Sequence, residues 1–371
     1  MDEFTVQLGC VAGFRLDLQD LGTNFSSNAS RMLSAMSVPS GTTGLMATLG
    51  SAFERLQGTL SSSHQRDLAS LNTFSANLAT AGTQYQASDS ATTKAISTLA
   101  AGETAGVSGA LGVVSRFAGL QLPSLSAVEE SQFTVRQVVE VGVELVAPYD
   151  EKLSAAIGMK PAADYLTPLA ADWEALQTLG KRIYQLGIND FVASENLSGG
   201  LRWLQGSWSG SAAQAFAASA GNLGQAIAIR SADLDEVSKI VQNGGVYLER
   251  LVYNQAVELT SALAQPMSFL DITLPLSGWA QLVNQPMRDT IKTEIVAAVD
   301  AMKKSVDARR DAITTGLGTI SQALDYSPGR AGPTFNAIEF EIPDKVIVDL
   351  GARRYGFGNN IWWESNIASA S

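Results

Sequence analysis

Apolar residues recur at three- and four-residue steps along most of this chain, the period of helices that each bury one face. From Phe4 to Met36 the stripe is Val11, Phe14, Leu18, Leu21, Phe25, Met32 and Met36, which predicts one helix weakened near Gly22 and Ser26. Val38-Pro39-Ser40-Gly41-Thr42 breaks it, and Thr42 or Thr43 can cap the next. The second stripe is long: Leu45, Leu49, Phe53, Leu56, Leu60, Leu68, Leu71, Phe74, Leu78 and Tyr85. A helix carrying it is a rod of about 65 Å. Such a rod cannot hide its own apolar face, so Met1 to about Ser90 reads as an antiparallel hairpin that needs a partner surface.

The next stretch, Thr104 to Ser126, is rich in Gly, Ala and Ser and reads as a linker. A helix is expected from about Val128 to Val146, through Phe133, Val138, Val141 and Leu145, with Pro148 ending it. Thr167-Pro168 opens a third long helix with the stripe Leu169, Trp173, Leu176, Leu179, Ile183, Leu186 and Phe191, and Asn196 to Gly200 stops it. Gly206-Ser207-Trp208-Ser209-Gly210 is the bend of a second hairpin, and Ser211 with Gln214 reads as a capping box restarting the chain as helix. The returning stripe (Phe216, Leu223, Ile227, Leu234, Val237, Val241, Leu248, Val252, Leu259, Leu263) is close to heptad spacing. It keeps phase across Asn243-Gly244-Gly245, so a kink is expected there and not a break.

Pro266 to Pro286 is a prolyl, apolar connector containing Trp279, and Met287 to Leu324 is a fifth long helix ended by Ser327-Pro328-Gly329. Thereafter the period changes to two. Ile338, Phe340 and Ile342 alternate with Glu339 and Glu341, and Val346, Val348 and Leu350 follow Pro343-Asp344, a β-hairpin pattern. The predicted class is all-α: an elongated antiparallel bundle of two long helical hairpins and an additional long helix, with a short C-terminal β-hairpin. The segments are 1–103, 104–160, 161–265, 266–326 and 327–371.

Composition narrows the chemistry. Only 16% of residues are charged against 46% hydrophobic, and the formal charge of −11 repels phosphate backbones, so nucleic acid is not an expected partner. The one basic cluster, Lys303-Lys304 with Arg309-Arg310, is interleaved with Asp300, Asp307 and Asp311 at helical spacing and reads as a solvated face. A single cysteine, Cys10, excludes an intramolecular disulfide framework and thiolate metal clusters. The single histidine, His64, is in phase with Leu60 and Leu68 and reads as a satisfied core or boundary residue. These counts remove most Ser-His-Asp, Cys-His and zinc chemistry, and no pair of carboxylates sits like an acid and its base. No enzyme, cofactor or metal site is expected. The acidic start Met1-Asp2-Glu3-Phe4 lacks the blocks of a cleavable signal peptide. The uncharged run Trp203 to Ile229 holds Gln205, Ser207, Ser209, Gln214, Asn222 and Gln225 between one-sided apolar positions, which favours a soluble helix over a membrane span.

Trp208 is not needed to make its turn. Its ring either plugs the open end of the hairpin or presents a contact surface, and the two roles are compatible. Two helical hairpins, one bent at Trp208-Ser209-Gly210, resemble the Trp-x-Gly family of type VII (ESX) secretion substrates. The first hairpin carries Tyr85-Gln86-Ala87-Ser88-Asp89 near its end, the spacing of that family's Tyr-x-x-x-Asp/Glu signal. Neither hairpin has both motifs. Each supplies what the other lacks, as in the family's PE–PPE-type and ESX heterodimers and in single-chain members that fuse the two partners. The resemblance covers roughly residues 1–265 and does not extend to the fifth helix or the tail.

The resemblance implies a non-enzymatic substrate, secreted or at the cell surface without a cleavable signal peptide. Tyr85 and Asp89 would serve as secretion signal, Trp208 and Gly210 as hairpin-turn motif, and an export ATPase or dedicated chaperone as reader. Two other readings stand beside it. The chain could be the secretion-guiding N-terminal part of a larger toxin, a reading favoured by the strand-like tail. It could also be a self-assembling surface or pore-forming protein, a homo-oligomer whose amphipathic helices touch membranes without spanning them. If the two hairpins pack with their bends at opposite ends, Trp208 comes to lie beside Tyr85; if the bends lie together, the two are a rod's length apart. Burial of the stripes does not choose between them, but the resemblance implies the first, and that packing is expected.

Overall fold

The computed structural model describes residues 5–99, 113–130 and 134–342, and of 91–99 the backbone alone. Within them the fold is all-α, with eight α-helices and one two-stranded sheet. Helices α1 (Leu8–Ser34) and α2 (Gly50–Leu99) form the first hairpin, α5 (Ala175–Gln205) and α6 (Ser211–Ala264) the second. Helix α2 is 50 residues long, a rod of about 75 Å. α1 runs antiparallel to α5: Phe14 lies against Gly200, Asn189 bonds to the Phe25 carbonyl, and Arg182 bonds to the Ala35 carbonyl. The bends are therefore at opposite ends. Gly44, in the first bend, abuts Pro168 just ahead of α5, while the Trp208 bend sits at the start of α1. The fifth long helix, α8 (Asp289–Leu324), packs antiparallel on α6, with Gly244 under Ile320 and Gly316 under Tyr247 and Leu248.

Between the hairpins lie α3 (Val135–Val146), α4 (Asp150–Ile157) and short tighter or wider turns at 147–149, 161–166 and 167–169. α3 starts later than the expected Val128. Its first amides are taken by the buried carboxylate of Glu174, whose Oε1 accepts from Thr134 N and Val135 N at 2.8 and 2.9 Å. The segment expected as a linker is bound where it is described. Residues 113–130 run as a strap over α1 and α5: Arg116 pairs with Asp17 and Asp20, Phe117 N donates to Asp17, and Asn28 donates to the Pro123 carbonyl.

Several expected boundaries move, each for a packing reason. Asn196 to Gly200 does not stop α5. The Asn196 amide exchanges hydrogen bonds with both backbone groups of Gln121 in the strap. Gly199 and Gly200 give room to Phe117 and Phe14, so the small residues serve close approach and not a break. Thr167-Pro168 opens only a short 3₁₀ turn, and α5 begins at Ala175 after Trp173 is buried with its Nε1 on the Leu169 carbonyl. Ser211 is the first residue of α6, and Gly210 caps it without a side-chain bond, so the capping box is absent. Thr43 likewise precedes a 3₁₀ turn, Gly44–Leu49, without a capping bond. Helix α6 passes Asn243-Gly244-Gly245 unbroken.

The sheet lies in the expected connector: β1 (Pro266–Phe269) and β2 (Ile272–Pro275) pair antiparallel. Leu270 and Asp271 both have positive φ, which a two-residue hairpin of this hand needs and which no Asn-Gly advertised. α7 (Leu276–Leu282) follows, and Trp279 stacks edge-on to Phe269 and donates to the Met267 carbonyl. The alternating stretch expected as a strand forms instead a 3₁₀ turn, Ala337–Phe340. Phe340 there packs on Tyr247, and burial of that ring in the α6–α8 groove outweighs the alternation. The rest of that pattern, 343–350, and Trp362-Trp363 lie outside the described residues. The basic face is not fully solvated either. Arg309 is 1% exposed, bonded to Gln255 and paired with Glu258, and Lys303 reaches the Ile157 carbonyl.

Candidate functional site

The Trp208 turn is built from both ends of the chain's first two hundred residues. Trp208 N donates to the Leu204 carbonyl at 2.9 Å, closing the last turn of α5. Gly210 then takes φ +98°, a conformation in which a Cβ is strained, before α6 starts. The exposed edge of the turn is paired with the segment before α1. Gln7 N donates to the Ser207 carbonyl at 2.8 Å, Ser209 N to the Thr5 carbonyl at 2.9 Å, and Thr5 N to Ser209 Oγ at 2.9 Å. Val6 and Trp208 are thereby bridged antiparallel.

Trp208 is 4% exposed, so the ring is a plug. Its neighbours are Phe216 at 5.6 Å and Tyr85 at 6.5 Å between ring centroids, the latter edge-on. Trp208 Nε1 donates to Tyr85 Oη at 3.3 Å. The two aromatics expected to meet if the bends are opposed do meet. Phe14, Phe74, Trp203 and Phe216 extend the cluster across all four long helices of the hairpins. Asp89, one turn beyond Tyr85 on α2, is exposed. The arrangement thus offers a folded, aromatic-cored tip whose accessible parts are the Tyr85 edge and the Asp89 carboxylate. Gly210 shapes the turn through its positive φ.

A second polar group sits at mid-bundle, and of its members only His64 stands out in the sequence. His64, Asp190 and Arg230 are all at most 5% exposed. His64 Nε2 is 2.8 Å from Asp190 Oδ1, Arg230 Nε donates to Asp190 Oδ2 at 2.7 Å, and Arg230 Nη1 donates to Asp67 and Ser63. His64 Nδ1 faces the Leu60 carbonyl at 2.8 Å, and Phe25 stacks on the ring. Burial pushes the Asp190 carboxyl up, but facing His64 and Arg230 more than offset this and hold it below the ordinary carboxylate range. Burial likewise lowers the Arg230 guanidinium, and Asp190 and Asp67 carry it back above its ordinary value. One signal was legible: Arg230 and Asp190 fall in the apolar stripes of their helices, at the steps after Ile227 and Leu186, where a charge must find a partner.

Among the described residues no cluster of His, Cys, Asp and Glu could hold a metal ion, and no helix is long and apolar enough to cross a membrane. Comparison with known protein families, characterised proteins and solved structures returns no match.

Proposed function

We propose that this protein is a non-enzymatic substrate of a type VII secretion system, recognised by its export ATPase or a dedicated chaperone through the Tyr85/Asp89 and Trp208-x-Gly210 end of the bundle. The observation that supports this reading is the hydrogen-bonded edge-to-face contact of Tyr85 and Trp208. Two motifs, each supplied by a different hairpin, are brought to one tip, as a composite signal requires. The packing alone did not oblige this, because either relative direction of the hairpins could bury the apolar stripes. The toxin reading drew on the strand-like tail, whose described part is a 3₁₀ turn on the body, and no other observation favours it.

The test is export from a host with and without an intact type VII system. Asp89→Asn, at an exposed position, should cost under about 0.5 kcal/mol of stability and still reduce export. Tyr85→Ala should abolish export while the protein remains folded and accumulates inside. Normal secretion of both variants, or secretion that does not depend on the system, overturns the proposal.

A further inference from the structure

Among the described residues nothing covers the outward face of α5 and α6, and that face is patterned. On α5, Phe191, Glu195, Ser198 and Arg202 follow at steps of four, three and four, so they share one face. Beside them the small residues of α6 from Ala217 to Gly224 leave a shallow groove that begins at Ser194 and ends at Gln205. Phe191, expected from the sequence in the core stripe, is instead 55% exposed, and Ile229 is 52% exposed. The helices are antiparallel, with Gly187 against Leu234 and Gly224 against Leu197, which sets Phe191 and Ile229 level with each other beyond one end of the groove. Glu195 and Arg202 are exposed and enter none of the salt bridges among the described residues; Arg202 bonds only weakly back to the Ser198 carbonyl at 3.4 Å.

We infer that this face pairs with the same face of a second copy, about a two-fold axis crossing the helices at the level of Ser198 and Gly221. Such an axis lays α5 antiparallel on α5 of the second copy. Glu195, three positions before Ser198, then stands opposite Arg202 of the other chain, and the reverse pair forms by symmetry. Phe191 and Ile229 pass to the far end of the other groove, by Gln205 and Ala217, where small side chains leave room. On α6 the helices approach through Gly221. Projection at one end, hollow at the other, and opposite charges at nearly equal distances from the centre are what an isologous contact needs. A lipid surface would gain nothing from a carboxylate and a guanidinium placed among the apolar side chains, and would leave both to be desolvated. The paired stretch, residues 191–205 of α5, is about 21 Å long. That places the interface at the small end of specific contacts, so the dimer is concentration-dependent.

The experiment is sedimentation and light scattering of the full chain over a dilution series up to about 100 μM, the range a small interface calls for. The mass should rise from one chain to two. Glu195→Arg or Arg202→Glu, each setting like charges opposite each other twice, should weaken dimerisation about tenfold or more, and the double reversal should recover it. Phe191→Glu should abolish it with the melting curve retained, since its ring is exposed. A monomer throughout, a dimer that either single reversal leaves intact, or a double reversal that fails to recover would each overturn the inference. None of these outcomes bears on the export reading, which rests on other residues.

Discussion

Among the described residues the bundle holds two apolar cores that differ in kind. The larger runs from Ala29 on α1 through Trp173, Leu248 and Ile320 to Tyr326, draws on nearly every element, and is mostly aliphatic. The smaller runs from Cys10 to Ile227, draws on the two hairpins and the strap, and is built around Phe14, Phe25, Trp208 and Phe216. Between them lies the ionic layer of His64, Asp190, Arg230 and Asp67, with Phe25 of the smaller core stacked on the histidine. The large core is redundant, since many side chains from many elements share the burial. The small one is a tip of few parts, closed by one tryptophan and one paired segment, and it carries both motifs. The tip is thus assembled on a separate apolar nucleus, and the charges between the two fix how α2, α5 and α6 register.

That comparison can be broken most severely at its boundary. Asp190→Leu leaves Arg230 and His64 buried beside an apolar side chain and should cost about 3–5 kcal/mol in denaturant unfolding. A loss below about 1 kcal/mol, no more than one ordinary hydrogen bond is worth, would show that the layer does not tie the cores together. Acid is the gentler form of the same change. The Asp190 carboxyl is held below its ordinary value in the folded chain, so its contribution is complete above about pH 4 and is lost as pH falls through the folded value. Stability measured from about pH 4 downward should fall more steeply in the natural chain than in Asp190→Leu.

Within the small core, Gly200→Ala would place a Cβ 2.3 Å from the Phe14 ring, and should destabilise by about 1–3 kcal/mol. An unchanged melting temperature would mean that the tip can relax, contrary to its being a nucleus of few parts. The smallest expected effect is at the contact itself. Tyr85→Phe keeps the ring against Trp208 and removes the hydroxyl that accepts from Nε1, for about 1 kcal/mol. The indole N–H would then be left without that acceptor, and a shift of tryptophan fluorescence should report it.

The long helices were legible because their stripes are long and in phase, and α8 falls within two residues of its expected ends. What was not legible depends on contacts distant in sequence. Asn196 reads as a helix stop until Gln121 is beside it, and Gly200 until Phe14 is. Arg309 looks solvated among its neighbours in sequence, but Gln255 and Glu258 of α6 enclose it. The hairpin at Pro266–Pro275 turns on Leu270 and Asp271, and the leucine, with its positive φ, carries no turn signal. At the candidate site, Tyr85, Asp89, Trp208 and Gly210 were each visible as local motifs, and their meeting was a matter of which way two hairpins lie. The pairing of Thr5 to Gln7 with the turn had no signal at all, since a three-residue segment has no periodicity to read.

That pairing makes the tip the least local part of the chain. Thr5 and Ser209 are 204 positions apart, and Tyr85 and Trp208 are 123 apart. Contacts of such separation repay the entropy of loop closure only after the intervening helices have condensed. During synthesis the first hairpin waits, complete in sequence, until Phe216 has emerged to complete the tip around it. A binder of this end would therefore meet a chain in which Tyr85 and Trp208 have already found one another, whereas in a nascent or misassembled chain the two lie apart.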